Sequence, residues 1–191
     1  RQHLDTVSGN EFDRLLLAHT LRVTGADAEV DAGLADPARN GAILDDVNRL
    51  REECRRAKES LSVDTDTVVD VRIGQVSTEA RLVRDDIEDL LRAPVMEAVA
   101  LVREAVSASA VGHDSSGAHA APGMKPAGVS AVLLGGGGAA IPLVTEMLPS
   151  TLRLPVVLDP DPASASAAGG ALMAGTTLAA RRSAMAPAAA T

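Results

Sequence analysis

Aromatic side chains are nearly missing from this chain: Phe12 stands alone, without a single Trp or Tyr in 191 residues. Leu, Val, Ile and Ala must therefore fill the core, and stacking of bases on aromatic platforms, the usual mode of single-strand binders, is nearly excluded. Positive charge is also short. The 18 Lys and Arg against 26 Asp and Glu leave a formal charge of −8, which repels a phosphodiester backbone and suits a protein kept soluble by its charge. Nucleic acid is not an expected partner. Cysteine is limited to Cys54, which cannot close an intramolecular disulfide and fits a reducing compartment. Long apolar runs are lacking too: none reaches the roughly 18 residues of a membrane span, and there is no signal-peptide core. The expected location is cytoplasmic, with no membrane contact from this segment.

What is present is an ordinary aliphatic composition, 46% apolar, at a length that suits one sizeable domain or two small ones. The sequence opens at Arg1 rather than Met and is patterned at once, so the polypeptide is expected to continue upstream. Val7, Ser8, Gly9 and Asn10 read as a strand end and turn that feeds a helix through Phe12, Leu15, Leu16 and His19. Residues 25–41, rich in Ala, Asp, Gly and Pro, read as a loop or a poorly ordered connection. Leu44, Val47, Leu50, Cys54, Ala57 and Leu61 recur every three or four positions. That spacing marks one long amphipathic helix, with Asp45 and Asp46 in its first turn.

The period then falls to two. Val69, Val71 and Ile73 alternate with Asp70 and Arg72, and Val76, Thr78, Ala80 and Leu82 alternate with Ser77, Glu79 and Arg81. Two strands joined at Gly74-Gln75 through a type II′ turn are expected. Ile87, Leu90, Leu91, Val95, Val99, Val102 and Val106 restore the helical period, with Pro94 at a kink or a break. Small residues, Gly and Pro dominate residues 107–128, as in a flexible surface loop. A strand, a glycine turn, a helix, a second strand and a small-residue helix follow, and the Ala-rich tail is expected to fray. The resulting plan has five parts: a strand end and turn (1–13), a helix-plus-hairpin subdomain (14–106), a loop (107–128), an α/β unit (129–182) and a tail (183–191). The α/β unit has too few strands for a complete sheet, so the others are expected upstream.

Two constellations carry chemistry. The first is Gly135, Gly136, Gly137, Gly138, Ala139 and Ala140 after an apolar run, with Asp159 and Asp161 after the next one. A strand that stops at glycines and enters a helix brings a phosphate close to bare amides, and the loose G-x-G-x-x-A pattern with a distal Asp fits a dinucleotide turn. A plain turn without ligand fits as well. No Gly-Lys-Ser/Thr follows, which excludes a P-loop. The second constellation is Arg55, Lys58, Glu59 and Ser62, which share one helix face opposite the apolar stripe. That face offers either a clamp for a base and ribose or a solvated surface with a weak Arg55–Glu59 pair. His3, His19, His113 and His119 have no partners at metal or triad spacing, and Cys54 reads as a buried small hydrophobe.

In order, these segments resemble the second lobe of the ATPase domain of DnaK-type seventy-kilodalton heat-shock chaperones, in the actin-like ATPase superfamily. Ser8-Gly9-Asn10-Glu11-Phe12-Asp13 is similar to the family's Gly-Gly-Glu-Asp-Phe-Asp turn, and Glu53 to Ser62 to its adenosine-contacting helix. Ile87-Glu88-Asp89-Leu90 with Ala93-Pro94-Val95 resembles the helices after the family's hairpin. Leu134 to Pro142 is similar to its Val-Gly-Gly-Ser-Thr-Arg-Ile-Pro element, and Asp159-Pro160-Asp161 to its Asn-Pro-Asp-Glu-Ala element. Arg55 stands where the family has a glutamate, Glu59 where it has an arginine, and Ala139 or Ala140 where the glycine element has an arginine.

The resemblance implies an α/β fold: an actin-like, ribonuclease H-like lobe fragment with helices, a small antiparallel hairpin subdomain and a partial α/β subdomain. It implies that ATP or ADP binds with Gly9 and Asn10 on the ribose side, that Arg55, Lys58, Glu59 and Ser62 hold adenosine, that Gly135, Gly136 and Gly137 approach the phosphates and base, and that Asp161 closes the cleft. Its partners would be the first lobe upstream and a co-chaperone or nucleotide-exchange factor on the helix-hairpin subdomain. The family's catalytic lysine, magnesium ligands and first phosphate loops would all precede Arg1. No catalytic or metal-binding residue is therefore expected in this chain, which should not hydrolyse ATP by itself. Two other readings compete: an NAD-binding module built on Gly135 to Ala140 and Asp159, and a degenerate, non-hydrolysing interaction protein.

Overall fold

A computed structural model describes residues 7–111 and 129–185. Six helices and four strands follow one another in these residues. Helix α1 (Gly9–Thr24) starts at Ser8, whose hydroxyl accepts from the Glu11 amide at 3.2 Å, and ends on Gly25 at φ 69. An N-cap hydroxyl of this kind satisfies an amide that would otherwise lack a partner, and a left-handed glycine closes the last turn without a Cβ clash. Gly9 and Asn10 therefore lie inside the first turn of a helix instead of in the turn before it. The strand end expected before Val7 lies outside the described residues.

Residues 25–41 are not a loop. Helix α2 (Asp27–Ala35) occupies most of them, with Asp27 and Glu29 in the first turn, where the dipole favours acids. Tertiary contacts hold it. Gly33 lies against Ile43, and Glu29 accepts from both Arg39 and the Gln75 amide. Helix α3 (Asn40–Ser60) starts earlier than the apolar stripe, so its first turn carries no acidic residue and Asp45 and Asp46 fall in the second. The Asp46 carboxylate accepts from the Gly74 amide at 3.1 Å.

Strands β1 (Asp66–Ile73) and β2 (Val76–Val83) form an antiparallel hairpin in which Val69 faces Ala80 and Thr67 faces Leu82. Gly74 has φ 55 while Gln75 stays on the negative side, the sign pattern of the expected type II′ turn. Val69, Val71, Ile73, Ala80 and Leu82 are buried under α1 and α3. Helix α4 (Arg84–Val111) runs through Pro94 without a break and extends across residues 107–111, where a loop was expected. Residues 112–128 and His113 and His119 lie outside the described residues.

The remainder is one βαβ unit. Strand β3 (Val132–Leu134) leads through Gly135 and Gly136 into a 3-10 turn (Gly137–Ala140), then helix α5 (Pro142–Leu152), strand β4 (Val156–Leu158) and helix α6 (Ala165–Met185). β3 and β4 pair in parallel. α6 reaches Met185, three residues into the segment expected to fray. Helix α5 packs on α4 and α4 on α1, so that Phe12, Leu16, Leu91, Val95, Val99, Leu143 and Leu148 belong to one continuous buried cluster.

Candidate functional site

The site forms where the start of α1, the end of α3 and the entry to α5 converge. On α1 the buried stripe includes two polar residues, Asp13 and Thr20, beside Phe12, Leu16 and Leu17. Asp13 Oδ1 lies 2.6 Å from Lys58 Nζ. That oxygen has no hydrogen bond of good angle among the described residues, so the short distance marks an ion pair held by charge. The pair is mostly enclosed, with side-chain exposures of 9% for Asp13 and 14% for Lys58. Lys58 Nζ also donates to the Gly9 carbonyl at 3.3 Å. Removing one partner from such an enclosed pair typically costs about 3–5 kcal/mol, because the other charge stays buried.

Gly9 is a close neighbour of this ammonium: a Cβ at position 9 would stand 3.7 Å from Lys58 Nζ. Gly9 and Gly135 line the same cleft of about 330 Å³, whose floor includes Phe12, Val99, Leu134 and Leu148. Ser62 donates its hydroxyl to the Lys58 carbonyl at 3.2 Å, and Lys58 and Ser62 line a small crevice against Ile141 and Pro142. Gly9 and Gly135 thus share one cleft, while Lys58 and Ser62 border a separate crevice at the entry to α5, and the Lys58 contact with the Gly9 carbonyl joins the two.

The glycine turn is open. Gly136 has φ 91 and donates to the Pro162 carbonyl at 2.6 Å, a conformation that a residue with a Cβ rarely adopts. A Cβ on Gly136, Gly137 or Gly138 would meet nothing within 4 Å, and no described carbonyl accepts from the amides of Gly137 and Gly138. A ligand can approach this backbone closely.

Other expected site residues are engaged elsewhere. Arg55 is bound to Glu52 and Glu59, each at 2.6 Å. The Glu52 hydrogen bond, with the charges of Glu52 and Glu59, raises the Arg55 pKa, and the same bond lowers that of Glu52. Asn10 is exposed and borders a separate polar recess with Ser8, Glu11 and Arg51. Asp161 is exposed; its carboxylate accepts from Ser164 Oγ at 2.5 Å and its amide donates to Asp159 Oδ1 at 2.9 Å. Both acids therefore build the turn into α6.

Cys54 is fully buried and donates to Thr20 Oγ1 at 3.7 Å. Burial pushes its thiol up to about 11, as expected of an inert packing residue. Among the described residues no group of three His, Cys, Asp or Glu side chains is arranged to hold a metal ion, and no helix is long and apolar enough to cross a membrane. The site residue that sequence reasoning missed is Asp13. Its signal was available: it falls on the apolar stripe of α1, where a charge needs a partner.

The chain is a member of a chaperone-type ATPase family. The family model described as Hsp70 protein matches residues 3–184, and the chain belongs to that family. It is also similar to a protein named chaperone protein HscA homolog from Burkholderia thailandensis, with 29% identity over 172 residues, 88% of this chain and 23% of the relative. The chain thus spans about a quarter of the length of the curated relative it matches.

Proposed function

We propose that this chain is the second lobe of an Hsp70-type ATPase domain, and that it binds one side of an adenine nucleotide and turns against a first lobe supplied by the rest of the polypeptide. The observation that supports this reading is that Gly9 and Gly135, 126 positions apart, line one cleft beside an open glycine turn, with Lys58 in contact with the Gly9 carbonyl. The residues fit a nucleotide. Gly135, Gly136 and Gly137 would let phosphates or base approach bare amides. Lys58 and Ser62 would face adenosine, and Gly9 and Asn10 its ribose.

Arg55 and Glu59 exchange the family's two charges, and their 2.6 Å contact preserves an ion pair at that place. Asp161 would border the cleft from the start of α6. Bound with magnesium in the complete protein, ATP supplies the free energy of hydrolysis, while the chain's own groups bind and orient it. Rotation of the two lobes would be a hinge-type switch that passes ATP state to a client-binding region. The helix-hairpin part offers a surface for a co-chaperone or nucleotide-exchange factor.

Calorimetry on the full-length polypeptide with magnesium-ATP tests this directly. Micromolar binding is expected, and Lys58→Ala and Asp161→Ala should each raise Kd about tenfold, equal to about 1.4 kcal/mol. No measurable binding by the wild-type protein would replace this reading with that of a degenerate, non-hydrolysing family member. Wild-type affinity in both variants would remove the site assignment.

A further inference from the structure

We infer that Asp13 is a positioning residue for the nucleotide site: it fixes the Lys58 ammonium beside the Gly9 carbonyl and so sets the affinity for adenine nucleotide. This rests on the proposed nucleotide-binding function. The ion pair is the most enclosed one among the described residues. The others sit on the surface along single helices or the hairpin, or, as with Glu29–Arg39, hold secondary elements together. The Asp13–Lys58 pair instead joins two helices 45 positions apart, and the neighbours of Lys58 include both Gly9 and the entry to α5.

An ammonium has three N–H donors. One is directed to the Gly9 carbonyl, and the charge of the Asp13 carboxylate 2.6 Å away holds the ammonium in place. A lysine side chain without such a partner samples many rotamers, and ordering it on ligand binding carries an entropy cost. With Asp13 and Gly9 holding it, the ammonium is already in place when a ligand arrives. Asp13 itself has no room for a ligand. Its carboxylate is 9% exposed and turned toward Lys58, so its influence passes through the lysine.

The test is a double-mutant cycle in the full-length polypeptide, with magnesium-ATP Kd and thermal midpoint measured for each variant. Asp13→Asn and Lys58→Ala should each raise Kd about tenfold, and the double variant should be no weaker than the worse single one, because both remove the same ordered ammonium. Asp13→Glu, which keeps the charge, should recover part of the affinity. A folded Asp13→Asn protein with wild-type Kd and only a lowered thermal midpoint would show a purely structural pair and overturn the inference. So would losses that simply add in the double variant. If Asp13→Asn does not fold, Asp13→Glu decides: an unchanged Kd overturns the inference and a raised one supports it. Failure of the wild-type protein to bind ATP is a separate outcome, which overturns the nucleotide reading and this inference with it.

Discussion

Cys54 sits at the centre of the helix layer with no exposed surface, next to Thr20 on α1 and one turn before Lys58. Its raised pKa, about 11 against an ordinary 9.0, arises mainly from desolvation of the thiolate. The folded state therefore holds the proton more tightly than the unfolded chain. Its contribution to stability is complete below pH 9 and is lost as pH rises toward 11, by roughly 3 kcal/mol in total at about 1.4 kcal/mol per unit. Native protein should resist alkylation at pH 8 and react at the rate of unfolding, and urea midpoints should fall between pH 9 and 11; a Cys54→Ala variant should lose that alkaline slope. At this scale the sequence was more informative about residues that pair within one helix than about those that pair between helices. The spacing of Leu50, Cys54 and Ala57 predicted their burial, and that of Arg55 and Glu59 offered the pair that forms along α3, whereas nothing in the spacing of Lys58 revealed its pairing with Asp13.

Helices α2 and α3 show how the same substitution acquires opposite signs in neighbouring elements. Gly33 is buried and a Cβ there would collide with the Ile43 side chain, so Gly33→Ala should destabilise by about 1–3 kcal/mol through overpacking. Gly41, in the first turn of α3, is exposed, has ordinary helical dihedrals and meets nothing within 4 Å. Gly41→Ala should stabilise by about 0.5–1 kcal/mol, by helix propensity and reduced unfolded-state entropy. Urea denaturation of both variants checks the pair, and Ile43→Val should relieve part of the Gly33→Ala loss. The element that the sequence failed to show is α2. Its composition has the turn formers of a loop, and its apolar content is too low to mark a helix face. The contacts of Gly33 with Ile43, and of Glu29 with Arg39 and the hairpin, hold it in place.

Across the whole molecule, one buried cluster reaches from Phe12 in α1 through the hairpin and α4 to Leu148 in α5. Such continuity predicts a single cooperative unfolding transition. Thermal curves from far-UV circular dichroism and from exposure of Cys54 to a thiol reagent should coincide; two separated transitions would show that the βαβ unit unfolds independently. Helix α4 is the connecting element. It packs against β2, α1 and α5, so the helix that the sequence marked by Ile87, Leu91, Val95 and Val99 serves as a shared wall.

The sequence alone determined the period-two hairpin with its glycine turn, the long helix ending near Leu61, the glycine-interrupted βαβ unit and, through ordered motifs, the resemblance to Hsp70. These features depend on local spacing, which the chain carries whether or not it is folded. Tertiary structure decided which polar groups meet: Lys58 with Asp13 and the Gly9 carbonyl, and Glu29 with the hairpin turn. Local spacing leaves a long flexible side chain several possible partners. Only the packing of α1 on α3 and of α4 on α5 removes the water that would otherwise satisfy the charge, and that desolvation selects the partner.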